Sequence, residues 1–255
     1  MSLKIAVGSE MVIYGLTMYG LNELWYRNYP KSQFHWIDDN DNWLQMDKLG
    51  HATTAYNMAL LGNNIFQWSG VSQKKALWYG GMYGMVFLTS VEILDGFSKR
   101  WGASYSDLIA NTLGSGLFIG QELLFKDQKA LLKYSFASTE YSKQRPDLLG
   151  KNRLEQAIKD YNGQIYWLSF NPIHLSKTNF PQWLNLAVGY GADGMLNGNK
   201  SDVNRTREFY LSPDINLRKI KTNSAFLNKT LSLLNFMKIP MPAVKLADKK
   251  LTFYF

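Results

Sequence analysis

Polar residues one helical turn apart recur three times in the first half of the chain, as Asp47–Lys48–x–x–His51, Glu92–x–x–Asp95 and Ser104–x–x–Asp107–x–x–x–Asn111. Spacings of three and four put the members of each set on one helix face. If the helices that carry them pack together, five ionisable groups and an amide meet in one place. A buried polar group without a partner costs roughly 1–3 kcal/mol, and a charge costs more. Such a cluster is therefore either a functional site or a fully satisfied network.

The residue types restrict the chemistry. Asp47 with His51 suits a metal pair or a base held by its carboxylate; the alternative is an acid favoured by the helix dipole beside a core histidine. Glu92 and Asp95 could ligate a hard cation or share a proton, or they could close a helix at Gly96. Ser104 reads as an N-cap, with Asp107 as the acid of its capping box, and Asn111 follows one turn later on the same face. Carboxylates with one histidine and no cysteine favour Mg²⁺, Mn²⁺ or Ca²⁺, with Zn²⁺ admissible, so Asp47, His51, Glu92, Asp95 and Asp107 are candidate ligands of a divalent cation. Lys48 follows Asp47 directly, points about 100° away and reads as surface. No G-x-S-x-G nucleophile motif is present.

The elements that must position these residues are glycine-punctuated helices. Residues 5–26 read as the first, ended by Tyr29–Pro30. Residues 31–45 form a connection in which Asp38, Asp39 and Asp41 read as a solvated turn or a weak cation site. Further helices are expected over 43–68, 72–96 and 104–125, with Gly80, Gly81, Gly84, Gly114, Gly116 and Gly120 allowing close backbone approach. The second half changes period. Residues 131–136, 165–170, 184–190 and 209–217 read as strands, 223–238 as a short amphipathic helix, and Leu251, Phe253 and Phe255 as one face of a last strand. The glycine-rich stretch 189–194 reads as a strand with bends, because it lacks the lysine of a phosphate loop. The fold class is α+β. A bundle of about four glycine-rich helices (1–128) precedes a basic, antiparallel β-rich half (129–255) that ends in an aromatic strand. That half shows too few strands for even the smallest membrane barrel.

Composition narrows the setting. Aromatic residues reach 15% while charged residues are only 19%, which suits an envelope or membrane-contacting chain. The absence of cysteine excludes disulfides, thiolate metal sites and a cysteine nucleophile. The net charge of +8 is uneven: residues 1–129 hold 10 Lys+Arg against 11 Asp+Glu, and residues 130–255 hold 18 against 9. A basic half attracts lipid headgroups or lipopolysaccharide; with no dense basic run, no nucleic-acid partner is expected. The start, Met-Ser-Leu-Lys, shows no signal-peptide form, so any native signal is expected to be missing from this sequence.

The segments Asp47-Lys48-Leu49-Gly50-His51, Glu92-Ile93-Leu94-Asp95 and Gly102-Ala103-Ser104-x-x-Asp107, followed by Asn111 and Gly114, resemble an uncharacterised bacterial envelope family typified by YfiM, and more distantly the VanZ-like membrane family. The resemblance covers roughly residues 43–122. It implies the bacterial cell envelope, at the outer membrane or the periplasmic face, and transfers no activity. Two readings stand. One is a non-enzymatic envelope protein whose buried polar cluster fixes helix packing while the basic half meets lipid or an envelope protein. The other is a metal-assisted hydrolase or transferase acting on an envelope lipid or glycan.

Overall fold

The computed structural model describes residues 3–27, 29–172, 180–198, 204–246 and 253–254. The chain divides into two compact units, Met1–Asn40 with Lys48–Asp127, and Asp41–Asp47 with Gln128–Phe255.

The first unit is helical. α1 (Leu3–Leu21) runs on into a wider helical turn over Asn22–Tyr26, and α2 (Met46–Trp68), α3 (Gln73–Gly81), α4 (Tyr83–Gly96) and α5 (Tyr105–Phe125) follow. The sequence predicts one helix over 72–96; the structure breaks it at Met82. Gly80 lies so close to α2 that a Cβ there would sit 2.2 Å from the Asn63 nitrogen, so the position requires glycine. Two adjacent glycines are also weak helix formers, and the helix ends at them. α2 starts at Met46 and not at Trp43, because Trp43, Leu44 and Gln45 hold φ of 49°, 50° and 65°, in the left-handed region.

α2 is the centre of the unit. A Cβ at Gly84 of α4 would lie 2.2 Å from the Ala55 carbonyl oxygen, and one at Gly114 of α5 would lie 2.1 Å from that of Ala52. Both helices therefore lean backbone to backbone on α2. Ala55, Phe87 and Leu88 form a core that Tyr14, Met18 and Val91 extend. α5 is long and apolar enough to cross a membrane, by length and composition alone. Two short strands, β1 (Trp36–Ile37) and β2 (Ala103–Ser104), pair in parallel and tie the connection after α1 to the start of α5.

The second unit is built on one antiparallel ladder, ordered β3 (Ala130–Phe136), β4 (Gln164–Phe170), β5 (Leu184–Asp193), β6 (Thr206–Ile215), β7 (Ala243–Lys245) and β8 (Phe253–Tyr254). Between β3 and β4 run the short helices α6 (Tyr141–Gln144), α7 (Pro146–Leu149) and α8 (Arg153–Lys159), which the sequence reading does not foresee. α9 (Ala225–Leu234) lies between β6 and β7. It stops short of residue 238 because Phe236 and Lys238 hydrogen-bond to Tyr134 of β3. Of the expected aromatic ending, Leu251 and Phe255 lie outside the described residues. Residues 41–47 pack with this unit: the Trp43 amide donates to the Gly198 carbonyl at 2.8 Å and the Tyr190 hydroxyl to the Leu44 carbonyl at 2.6 Å.

The ladder is curled. Lys133 on β3 reaches Asp214 on β6 at 2.8 Å, although β4 and β5 lie between them. A flat sheet would hold those strands about 14 Å apart, at ~4.8 Å per step. The segment after α9 touches both β3 and β6: Lys238 donates its amide to Tyr134 of β3, and β7, five residues on, pairs with β6. One face therefore turns inward. It carries Lys133, Trp167, Ser169, Asn185, Tyr210, Ser212 and Asp214.

Candidate functional site

Ser104 opens α5 as the sequence predicts, its Oγ accepting from the Asp107 amide at 3.2 Å. The β1–β2 pairing sets Ile37 beside Ser104. Asp39, two residues further on, then turns back into the unit. Its Oδ1 accepts from the hydroxyls of Ser104 at 2.7 Å and Ser106 at 3.0 Å. Asp39 is buried, which corrects its reading as a solvated turn residue.

Lys48 is corrected as well. Its Nζ lies 2.6 Å from Asp39 Oδ2 and 2.8 Å from Asp107 Oδ1, so its ammonium sits between two carboxylates and is not at the surface. One turn along α2, His51 presents both ring nitrogens to neighbouring helices. Nδ1 lies 3.0 Å from Asn111 Oδ1 on α5, and Nε2 lies 3.7 Å from Glu92 Oε1 on α4. An amide oxygen only accepts, so Nδ1 donates to Asn111 while Nε2 faces Glu92. The other Glu92 oxygen accepts from the Ser104 amide at 2.9 Å.

Burial pushes the Glu92 carboxyl up to about 8; His51 pulls against that shift, and nearby Asp107 and Asp95 add to it. Around neutral pH Glu92 is therefore largely protonated. Asn111 is fully buried, and its Nδ2 has no hydrogen-bond partner within the described residues.

The structure thus gathers His51, Glu92, Ser104, Asp107 and Asn111, and adds Asp39, Lys48 and Ser106. Asp95, one turn beyond Glu92, instead accepts from the Tyr26 hydroxyl at 2.9 Å. Asp47 is counted with the second unit, where it accepts from the Tyr161 hydroxyl at 2.5 Å. Within the helical unit, the Lys48 ammonium lies between the carboxylates of Asp39 and Asp107.

The second unit holds a polar set that the sequence reading does not foresee. Lys133 and Asp214 pair with no side-chain exposure at all. Ser169 donates to Asp214 Oδ2 at 2.6 Å, and Asn185 donates to Ser169 at 2.9 Å. Lys238 donates to Ser212 at 3.0 Å and to the Pro213 carbonyl at 2.9 Å, with its ammonium over the Trp167 ring. Burial pulls Lys238 down to about 8.

Residues 35–120, about a third of the chain, are similar to an uncharacterised family described as predicted periplasmic lipoprotein (DUF2279). The matched stretch contains the whole helical network, from Asp39 to Asn111. No curated protein and no solved structure matches the chain.

Proposed function

We propose that the chain is a non-enzymatic protein of the bacterial envelope, at the outer membrane or its periplasmic face, related to YfiM-like and distantly to VanZ-like proteins. Its helical unit is fixed by the buried ion network, and it works against a lipid or lipopolysaccharide surface or an envelope protein. The Lys48 ammonium carries this reading. It lies between Asp39 and Asp107 and neutralises these two acids from within. The outer helix faces support the lipid part: Met11, Val12 and Leu16 of α1 and Ile109, Leu113 and Leu124 of α5 are apolar and exposed. Melting after thorough chelation, followed by re-addition of Mg²⁺, Mn²⁺, Ca²⁺ or Zn²⁺, tests the network. An unchanged midpoint is expected; a rise of about 2.7 kcal/mol at a hundred times the dissociation constant would mark a metal site.

A metal-assisted hydrolase or transferase acting on an envelope lipid or glycan is the second reading. A carboxyl held near 8 beside an imidazole, with the unpartnered Asn111 amide next to it, favours it. Turnover of an envelope lipid or glycan that is lost in Glu92→Gln, with folding intact, would establish it.

A further inference from the structure

The curled sheet of the second unit is apolar on the side turned away from its interior as well. Its inner face sets the Lys133–Asp214 pair, Ser169, Asn185 and Ser212 beside an apolar core of Trp167, Ala187, Tyr210 and Ala243. Its outer face is apolar in register: Leu132, Leu168, Val188, Leu211 and Val244 form one row across five strands. Leu168, Val188, Phe209 and Leu211 are exposed, and so is Met237 in the segment that closes onto β3. Antiparallel sheets in water place their apolar side inward and their polar side outward. An exposed apolar face turned outward belongs to sheets whose solvent is hydrocarbon.

We propose that this outer face is immersed in the acyl chains of one lipid leaflet. The proposal rests on the membrane-facing part of the function proposed above and adds the surface and the depth. Three observations select lipid over a folded partner. The exposed apolar residues lie on successive strands of a curled sheet and on its closing segment, so they form a girdle; a single flat protein face covers only one side of such a girdle, whereas a fluid surrounds it. The band from Phe209 to Pro213 rises about 13 Å at ~3.3 Å per residue, close to half of the ~30 Å hydrocarbon core and too short to cross it. α9, which leads into the closing segment, exposes Phe226, Leu227, Leu233 and Leu234 and carries Lys229, with Lys221 just ahead of it. An apolar helix face beside lysines, in the half of the chain that holds 18 Lys+Arg against 9 Asp+Glu, complements an anionic headgroup layer.

Because the chain has no cysteine, single reporters can be placed at will. Val188→Cys, Leu211→Cys and, as a control on an exposed polar loop, Lys151→Cys are labelled with an environment-sensitive fluorophore. The full chain is then mixed with phosphatidylglycerol–phosphatidylcholine vesicles with and without acyl-chain quenchers. The expected result is a blue shift and acyl-chain quenching at 188 and 211, absent at 151, that survives high salt. Leu211→Asn, at an exposed position that leaves the fold intact by circular dichroism, should weaken salt-resistant binding severalfold. Vesicle binding without a shift at 188 or 211 would overturn the proposal and leave membrane association standing. A concentration-dependent shift without vesicles would assign the girdle to a second copy and also overturn it. No vesicle binding at all would remove the membrane part of the proposed function itself.

Discussion

The two units bury their charges in different ways. In the helical unit one ammonium serves two carboxylates, and the Lys48 side chain keeps 13% of its exposure, so solvent still reaches the edge of the network. In the β unit Lys133 and Asp214 form a one-to-one pair with 0% exposure on either side. Solvent can relax around the first arrangement when a member is lost. The second is sealed by the curl of the sheet, so losing one partner strands the other in a dry interior. Both units turn apolar side chains outward, one with a helical period and the other with a strand period.

The sharpest test of that contrast is to remove each lysine. Lys133→Met leaves Asp214 with only its Ser169 hydrogen bond, and breaking a buried pair costs about 3–5 kcal/mol. Lys48→Met should cost less, roughly 1–3 kcal/mol, because the Lys48 side chain lies at the partly exposed edge of its network. The two units need not unfold together, so hydrogen exchange of the β3–β6 amides and of the α2 and α5 amides should be followed separately. Lys133→Met/Asp214→Leu should recover most of the loss, since an apolar pair of similar volume does not leave a charge unpaired. A larger cost for Lys48→Met than for Lys133→Met would reverse the comparison.

The same contrast explains what could be read from the sequence. The helical network was legible because helices collect polar residues three and four apart; His51, Glu92, Ser104, Asp107 and Asn111 stand out as short patterns, and Ser104 caps α5 as its spacing implies. Asp39 was not legible, because only the β1–β2 pairing decides which of Asp38, Asp39 and Asp41 turns inward. Lys48 is hidden by its position directly after Asp47, because the angle between the two says nothing of the site, which lies on Lys48's own side of α2. The β network left no local pattern. Lys133, Ser169, Asn185 and Asp214 come one from each strand, and ladder register and curl alone bring them together. The break at Met82 escaped because an apolar run hides it, and only the contact of Gly80 with Asn63 reveals it.

Titration should separate the units by sign. Glu92 is raised from its ordinary 4.5 to about 8, so between those values the folded state holds a proton the unfolded chain has released. Its contribution is complete below about 4.5 and is lost as the pH climbs through 8, with a total of order 5 kcal/mol. Lys238 is lowered from 10.5 to about 8, so over that interval the unfolded chain holds the extra proton. The β unit is therefore penalised below 8 and gains stability as the pH rises towards 10.5. Segment-resolved exchange across this range should show α4 and α5 weakening with rising pH and β6 strengthening at its upper end. Glu92→Gln, which can still accept from the Ser104 amide, should flatten the first trend and leave the second; an unchanged slope would mean that Glu92 is ionised in the fold.

Glycine substitutions give a smaller effect with opposite signs along a single helix. A Cβ at Gly114 would meet the Ala52 carbonyl oxygen of α2, so Gly114→Ala must push two backbones apart, at about 1–3 kcal/mol. Gly116, two residues on, has nothing within 4 Å, and Gly116→Ala should stabilise α5 by up to about 1 kcal/mol through helix propensity alone. Thermal melting of both variants, with α5 protection as the readout, checks the pair. Destabilisation by Gly116→Ala would mean that α5 presents that face to a second surface.

The smallest expected difference concerns two serine caps, one in each unit. Ser104 caps α5 while fully buried, and its hydroxyl also donates to Asp39, so Ser104→Ala removes an N-cap and strands an acceptor inside the network. Ser224 caps α9 from an exposed position, accepting from the Leu227 amide at 3.3 Å, and water can replace it. Cap removal costs about 0.5–2 kcal/mol, so Ser104→Ala should fall at or above the upper end of that range and Ser224→Ala at the lower end. Ser104→Thr keeps the hydroxyl and should recover part of the loss, whereas Ser104→Gly relieves the cap but not Asp39. If Gly restored stability as well as Thr does, Ser104 would be acting as a cap alone, and the link that ties Asp39 and Lys48 to the start of α5 would carry no energy of its own.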